Sequence, residues 1–194
     1  MEMARPPALL LVDIQKGFGD INYWGGQRNN LNAELRSGAL LELWRARGLP
    51  ICHVQHCSTN LVSPLHESNA GNAFQDMVAP RAGEVVFRKQ VNSAFIGTDL
   101  QAWLDRAGIR KLIIAGLTTD HCISTTARMA GNLGFETFIV ADATATFNKT
   151  GADGQRYSAE LIHDTALASL SHEFAQIVTS EWITLEMAKT QSLI

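Results

Sequence analysis

The stretch Lys111-Leu-Ile-Ile-Ala-Gly-Leu-Thr-Thr-Asp-His-Cys-Ile-Ser-Thr-Thr-Ala-Arg-Met-Ala-Gly-Asn-Leu-Gly134 decides the fold of this chain. Its apolar residues 112–115 run into Gly116 and a polar turn, which is typical of a buried strand that leads into a helix. Apolar residues then recur at helical spacing until Gly134, where a helix would end. Cys122 therefore lies in the first turn of the predicted helix, where the helix dipole and unpaired backbone N–H groups favour a thiolate. The stretch alone fits either a reactive thiol or a small buried cysteine.

Composition excludes several classes of protein. The 194 residues are 46% hydrophobic and 18% charged with a net charge of -3, so we expect no nucleic-acid partner and no binding to an acidic membrane surface. No apolar run approaches the roughly 20 residues that span a bilayer. Three cysteines without a CxxC pair predict no disulfide framework and a cytoplasmic location. We predict a single domain over residues 1–194, with its core at about residues 7–183.

Strand-like and helix-like patterns alternate outward from this stretch. The segments 18–30 and 58–81 read as loops, and the last dozen residues carry no strong signal. Such alternation predicts right-handed βαβ units and therefore a three-layer α/β sandwich with a parallel sheet. The predicted strands are 8–12, 51–57, 83–89, 112–115, 135–140 and 174–178, and the predicted helices cover about 31–47, 100–107, 122–133 and 161–169.

Three chemically active side chains fall at the carboxyl ends of three different predicted strands. Asp13 follows the first strand, Lys89 ends the third and Cys122 follows the fourth. Ligands of parallel sheets bind at this edge, and an acid, a cation and a thiol form a plausible covalent catalytic set. Each residue also has an ordinary interpretation, as a helix cap, a solvated lysine and an inert cysteine. Their coincidence at strand ends favours the catalytic interpretation.

Four blocks of sequence identify a family resemblance. In chain order they are Asp13-x-Gln15-x-x-Phe18, Lys89 followed by Ser93-Ala-Phe95-x-x-Thr98-x-Leu100, Gly116-x-Thr118-x-x-x-Cys122-Ile123, and Asp142-Ala143. Over nearly its whole length the chain resembles the isochorismatase-like cysteine hydrolases, which include nicotinamidases, N-carbamoylsarcosine amidases and ureidoacrylate amidases. The resemblance implies a six-stranded, mostly parallel sheet with helices on both faces, a homo-oligomer (dimer or tetramer), and a cis peptide between Leu117 and Thr118.

The resemblance also implies that Asp13, Lys89 and Cys122 form the family's catalytic triad. Asp13 would accept the thiol proton, Lys89 would stabilise both neighbours, and the sulfur would attack a small amide, ureido or imide carbonyl. Backbone N–H groups of Thr118 and Cys122 would form the oxyanion hole. Since vinyl-ether hydrolysis of isochorismate needs no acyl-enzyme, the cysteine favours cleavage of a C–N bond. A vinyl-ether hydrolase and a thiol redox or sensing protein stay open as alternatives.

The sequence predicts neither a metal nor another cofactor. The nicotinamidase branch carries a metal on an Asp-x-His pair and a further histidine, whereas this chain has His53-Val-Gln-His56-Cys57 with His66 downstream. Two residues three apart on a strand point to opposite faces, so His53 and His56 cannot easily share an ion.

The substrate is expected to be a small molecule in a partly apolar pocket. Loops near the strand ends carry the residues predicted to line it: Phe18, Trp24, Phe95, His121 and Phe147. The long 58–81 segment is interpreted as a subunit contact or as a lid over the site.

Overall fold

The computed structural model describes residues 6–191, which form one layered α/β arrangement. The strands are β1 (Ala8–Val12), β2 (Ile51–His56), β3 (Val85–Lys89), β4 (Lys111–Leu117), β5 (Glu136–Ala145), β6 (Lys149–Thr150), β7 (Arg156–Tyr157) and β8 (Gln176–Val178). The helices are α1 (Ile21–Trp24), α2 (Ala33–Ala46), α3 (Leu100–Ala107), α4 (Ser124–Asn132), α5 (Ala159–Leu170) and α6 (Ser180–Gln191). No helix among these described residues has the length and apolar character to cross a membrane.

Six of the strands form one parallel sheet in the order β3-β2-β1-β4-β5-β8. The predicted six-stranded three-layer sandwich is therefore confirmed. From β1 the chain builds outward through β2 to β3 and then crosses back to add β4 on the other side of β1. The carboxyl ends of β1 and β4 thus form the switch point at which a crevice opens in such sheets.

Alternating side chains of the central strands supply two separate cores. In β1, Leu10 and Val12 join the core under α3, α4 and α5, whereas Leu9 and Leu11 join the core under α2 and α6. All five residues of β1 are buried, as expected for a strand covered on both faces. The sheet is therefore packed on both faces.

The structure adds elements that the sequence pattern did not predict. Helix α6 covers most of the last dozen residues, where the sequence pattern did not predict a helix. The helical pattern is weak because the apolar residues are spread around the helix instead of forming one stripe. Strand β5 continues to Ala145, five residues beyond its predicted end, with a register shift against β4. The short helix α1 lies in the segment 18–30 that was interpreted as a loop, and β6 and β7 form a small antiparallel hairpin between β5 and α5 for which no element was predicted.

Gly116 allows β1 and β4 to approach each other at the switch point. Its φ is +130°, and a Cβ built on it would lie 1.9 Å from the carbonyl oxygen of Val12, its partner in β1. A backbone carbonyl cannot move aside as the end of a flexible side chain can. Glycine is therefore required here on both conformational and steric grounds.

We expect Gly116→Ala to lower the free energy of unfolding by at least about 3 kcal/mol, because it combines backbone strain with a clash against β1. Gly134→Ala is the matched control, since Gly134 also has a positive φ (+81°) but nothing lies within 4 Å of the point where its Cβ would stand. Its cost should stay near 1–2 kcal/mol. Urea unfolding of both variants measures the difference, and equal losses would show that the close approach of β1 and β4 does not matter.

Candidate active site

Four side chains from four strand ends meet at the carboxyl edge of the sheet. Asp13 directly follows β1 in the left-handed conformation with φ +54°, His56 ends β2 and Lys89 ends β3. His56 and Lys89 are paired neighbours across β2 and β3. Cys122 lies in a π-helical turn, Thr119–Ile123, between β4 and α4. Asp13 and Lys89 are almost completely buried, at 0% and 1% exposure.

The Lys89 ammonium group links the other three residues. Its Nζ lies 2.5 Å from Asp13 Oδ2, 3.2 Å from Cys122 Sγ and 3.1 Å from His56 Nδ1. A lysine ammonium has three N–H donors and no acceptor, so these three contacts use its whole capacity. The second carboxylate oxygen of Asp13, Oδ1, is buried and has no hydrogen-bond partner among residues 6–191.

The charges of this cluster are set by burial and by its own members. Burial by itself lowers the pKa of Lys89, but the negative charge of Asp13 and the hydrogen bonds to Asp13 and Cys122 outweigh it, and the net pKa lies above the ordinary value. Burial raises the pKa of the Cys122 thiol, Asp13 raises it further, and Lys89 opposes both. Burial therefore counteracts the helix-start effects that favour a thiolate at this position. The raised pKa of the thiol beside the Asp13–Lys89 ion pair favours its neutral form.

This charge state predicts slow alkylation of Cys122 at neutral pH. Iodoacetamide reacts with the thiolate, so the rate at pH 7.5 should be at least about tenfold below that of glutathione and should still rise beyond pH 9. Peptide mass mapping separates Cys122 from the other two free cysteines, Cys52 and Cys57. The unfolded chain in guanidinium, in which burial is lost, is the control. A rate that already levels off below pH 8 would contradict the resting thiol.

The turn that carries Cys122 is held from two sides. The peptide between Leu117 and Thr118 is cis, and the Thr118 carbonyl accepts hydrogen bonds from the N–H groups of His121 and Ile123. Thr119 Oγ1 lies 2.9 Å from Nδ1 of His163 in α5. Asp120 accepts a hydrogen bond of 2.5 Å from Thr146, which follows β5. The backbone around the sulfur is thereby fixed, and the assignment of its N–H groups to an oxyanion hole stays a prediction.

A small cavity of about 80 Å³ opens beside the Cys122 sulfur. Phe18, Trp24 and His121 line it, together with Thr118. Two other residues expected in the pocket lie elsewhere. Phe147 is fully buried behind Phe18 and Trp24, with ring centroids 6.2 Å from each, and Phe95 packs against Phe135 in the core under α3, α4 and α5. Neither ring lines this cavity, because both pack against neighbouring rings beside it, and their assignment to a substrate pocket stays a prediction.

Sequence reasoning missed three further lining residues: His56, Leu65 and Asn92. As a polar residue at a strand end, His56 could have been predicted to line the site. Its spacing from His53 was instead interpreted only in terms of metal binding. Asn92 Oδ1 lies 3.8 Å from Cys122 Sγ. Leu65 belongs to the 58–81 segment, which therefore covers one side of the cavity. No periodic pattern marks Leu65 or Asn92, because both lie in irregular loops.

The donor atoms at the site do not suit a metal ion. Asp13, His56 and Cys122 offer ligand atoms within 4.8 Å of one another, but the Lys89 ammonium already contacts all three residues. A divalent cation would have to share this small volume with a buried positive charge. The other two candidate histidines are engaged elsewhere: His53 Nε2 lies 2.9 Å from Glu84, and His66 Nδ1 lies 2.7 Å from Ser68 Oγ.

Comparisons with known proteins agree with this architecture. A family model described as the isochorismatase domain matches residues 7–181. The chain is 43% identical over 188 residues to the isochorismatase family protein YrdC of Bacillus subtilis, covering 97% of this chain and 100% of the relative. It is 29% identical over 194 residues to maleamate amidohydrolase of Pseudomonas putida, covering 91% and 84%. A crystal structure of an isochorismatase family protein from Chromobacterium violaceum matches with a TM-score of 0.91 and 41% identity, covering 97% and 96%.

The fold and the cluster at its switch point define an α/β enzyme domain with a buried thiol, carboxylate and ammonium in one crevice. With the family match over most of its length, the chain belongs to the isochorismatase family and is a hydrolase.

Proposed function

We propose that this protein hydrolyses a C–N bond of a small amide, ureido or imide compound through a thioester on Cys122, with Asp13 and Lys89 as the other members of the triad. One observation carries the proposal. Lys89 holds Asp13 Oδ2 at 2.5 Å and Cys122 Sγ at 3.2 Å, while Asp13 Oδ1 is buried without a partner among residues 6–191. A buried acceptor beside a protonated nucleophile is the arrangement that general-base activation needs.

Thioester formation begins from the neutral thiol. Asp13 Oδ1 takes the proton from Cys122 as the sulfur attacks the substrate carbonyl, forming the S–C bond and an oxyanion. Backbone N–H groups of Thr118 and Cys122 stabilise that oxyanion. Lys89 stays charged throughout and offsets the negative charge that passes from Asp13 to the sulfur. Asp13 then gives its proton to the nitrogen, the C–N bond breaks, and the amine leaves.

Hydrolysis of the thioester reverses the same proton path. Asp13, again ionised, removes a proton from a water molecule that attacks the thioester carbonyl. The S–C bond breaks, the sulfur regains the proton from Asp13, and the carboxylic acid is released. One water is consumed for each C–N bond that is cleaved, and no external oxidant or reductant is required.

Two relatives support an amide substrate by name, maleamate amidohydrolase of Pseudomonas putida and nicotinamidase 3 of Arabidopsis thaliana. Vinyl-ether hydrolysis would give the buried thiol no covalent role. A thiol sensor is disfavoured because burial raises the pKa of Cys122, and oxidation proceeds through the thiolate.

A homo-oligomer in a reducing compartment completes the proposal. The exposed large apolar side chains Leu31, Leu35, Leu61 and Val62 are surfaces that a second copy could cover. Sedimentation velocity of the purified protein measures the oligomeric state directly.

The reaction is tested by measuring ammonia release from a panel of small amides and ureido compounds and ring opening of cyclic imides by chromatography, with pyruvate release from isochorismate measured in parallel. Cleavage of a C–N bond in one class of compound supports the proposal and gives the substrate type. Pyruvate release with no C–N cleavage in any compound would replace it with vinyl-ether hydrolysis.

A further inference from the structure

The third hydrogen bond of Lys89 fixes the protonation state of His56. Because an ammonium group can only donate, Nδ1 of His56, 3.1 Å from Lys89 Nζ, must accept and therefore carries no proton. A neutral imidazole with a bare Nδ1 carries its proton on Nε2. Burial first, and then the charge of Lys89, lower the pKa of His56, which keeps the ring neutral. His56 is thus an N–H donor through Nε2 alone.

The backbone of His56 is held more firmly than that of an ordinary strand end. The Gln15 side chain binds both of its polar groups, accepting from the His56 N–H at 2.9 Å and donating to its carbonyl at 3.0 Å. Asn72 Nδ2 donates to the same carbonyl at 2.9 Å. Gln15 comes from the block after β1, and Asn72 comes from the 58–81 segment. Side-chain amides from two separate loops therefore hold the backbone of His56 in place.

The Nε2 donor is available to a ligand. No residue in the range 6–191 contacts it by a hydrogen bond, and His56 lines the cavity beside Cys122. A ring nitrogen of His56 lies within 4.8 Å of Cys122 Sγ. Nε2 stands across the same five-membered ring from Nδ1, so a substrate whose carbonyl carbon meets the sulfur needs to extend only a few bonds along the cavity to reach this N–H.

The rest of the lining favours an uncharged ligand. Phe18, Trp24 and Leu65 supply apolar surface, and Asn92 supplies a neutral amide. His121 has its pKa lowered by burial, which favours the neutral ring. Lys89 has no remaining donor to offer to a substrate carboxylate. A second polar group on the substrate would therefore be met by neutral hydrogen-bonding groups and not by a buried cation.

We propose that His56 is a specificity-determining residue whose Nε2–H binds a second acceptor on the substrate, so that the enzyme selects small neutral amides with an additional carbonyl close to the scissile one. This assignment rests on the proposed reaction at Cys122. It separates such compounds from plain aliphatic amides of the same shape, because a bound amide without the second acceptor would shield this N–H from water and leave it without a partner.

The test compares two probes with the same heavy-atom skeleton, malonamide and 3-methylbutanamide, and measures their binding to the Cys122→Ala protein by NMR titration. The affinity ratio between the two probes is measured again after adding His56→Leu, which removes the donor, and His56→Gln, which keeps a side-chain N–H. His66→Gln is the control for a histidine outside the cavity. Two-bond ¹H–¹⁵N couplings of the histidine rings report the tautomer independently.

We expect the Nε2–H tautomer for His56 and a preference for malonamide that falls about tenfold with His56→Leu, returns in part with His56→Gln, and is unchanged with His66→Gln. A proton on Nδ1, an unchanged ratio with His56→Leu, or no malonamide binding would overturn the assignment. If this binding pattern is found but the protein with Cys122 releases no ammonia, the specificity role stands and the cysteine mechanism alone fails.

Discussion

Replacing Cys122 with alanine is expected to lower kcat/KM for the amide substrate by at least about 10⁴-fold while leaving the fold intact. The sulfur forms the covalent bond in the proposed reaction. Among residues 6–191, no other side chain that lines the cavity offers a thiol nucleophile next to the Asp13 oxygen that lacks a hydrogen-bond partner. Loss of one buried sulfur should cost only about 1 kcal/mol of stability. Ammonia release and urea unfolding of the same preparation measure both quantities.

Two further cysteine variants make this result specific. Cys122→Ser keeps an O–H near Asp13, but a hydroxyl is a far weaker nucleophile than a thiol, so we expect a loss of at least about 10³-fold. Cys52→Ala removes a buried thiol from the core inside β2 and should leave kcat/KM within about threefold. Wild-type rates in a homogeneous Cys122→Ala preparation would eliminate the thioester mechanism. An equal loss in Cys52→Ala would point to general damage to the sheet.

The sheet and the placement of Asp13, Lys89 and Cys122 at strand ends could be predicted from the sequence because they depend on local patterns. Apolar runs that end abruptly in a polar residue, as at Val12-Asp13, mark the carboxyl end of a buried strand, and parallel topology then brings such ends together. The position of Lys89 at a strand end was predicted from the two-residue period of the strand 83–89. The pattern did not reveal that Lys89, on the edge strand, reaches past β2 to contact residues after β1 and β4.

Features that depend on how particular side chains pack against each other could not be predicted from the sequence. The helix-start position of Cys122 suggested a thiolate, but the balance is set by how completely the folded site removes water, which a sequence pattern does not encode. Phe95 and Phe147 are aromatic residues near strand ends, yet each packs against another ring instead of facing the cavity. Leu65 reaches the cavity because the long loop folds back over the sheet edge, and no periodic signal precedes it.

The second large effect concerns the buried ion pair. Lys89→Met is expected to destabilise the protein by about 3–5 kcal/mol, because the Asp13 carboxylate would remain in a dry site without its counterion. Activity should fall by at least about 10³-fold, since the charge that stabilises the thiolate is lost. The pKa of Lys89 is raised on folding, so the stabilisation by the pair is present below the unfolded lysine pKa and disappears as pH rises through the higher folded pKa. Urea unfolding of both proteins at pH 7 gives the comparison.

A double variant separates stability from catalysis at the same two positions. Asp13→Asn removes the unpaired charge and retains a residue type that tolerates the positive φ of position 13, so Asp13→Asn combined with Lys89→Met should recover at least about 2 kcal/mol relative to Lys89→Met alone. It should nevertheless remain inactive, because asparagine cannot accept the thiol proton. If the double variant were no more stable than Lys89→Met, the loss would come from packing of the lysine chain. If it hydrolysed amides at the wild-type rate, Asp13 would not be the base, and the ion pair would be a structural element beside a different catalytic apparatus.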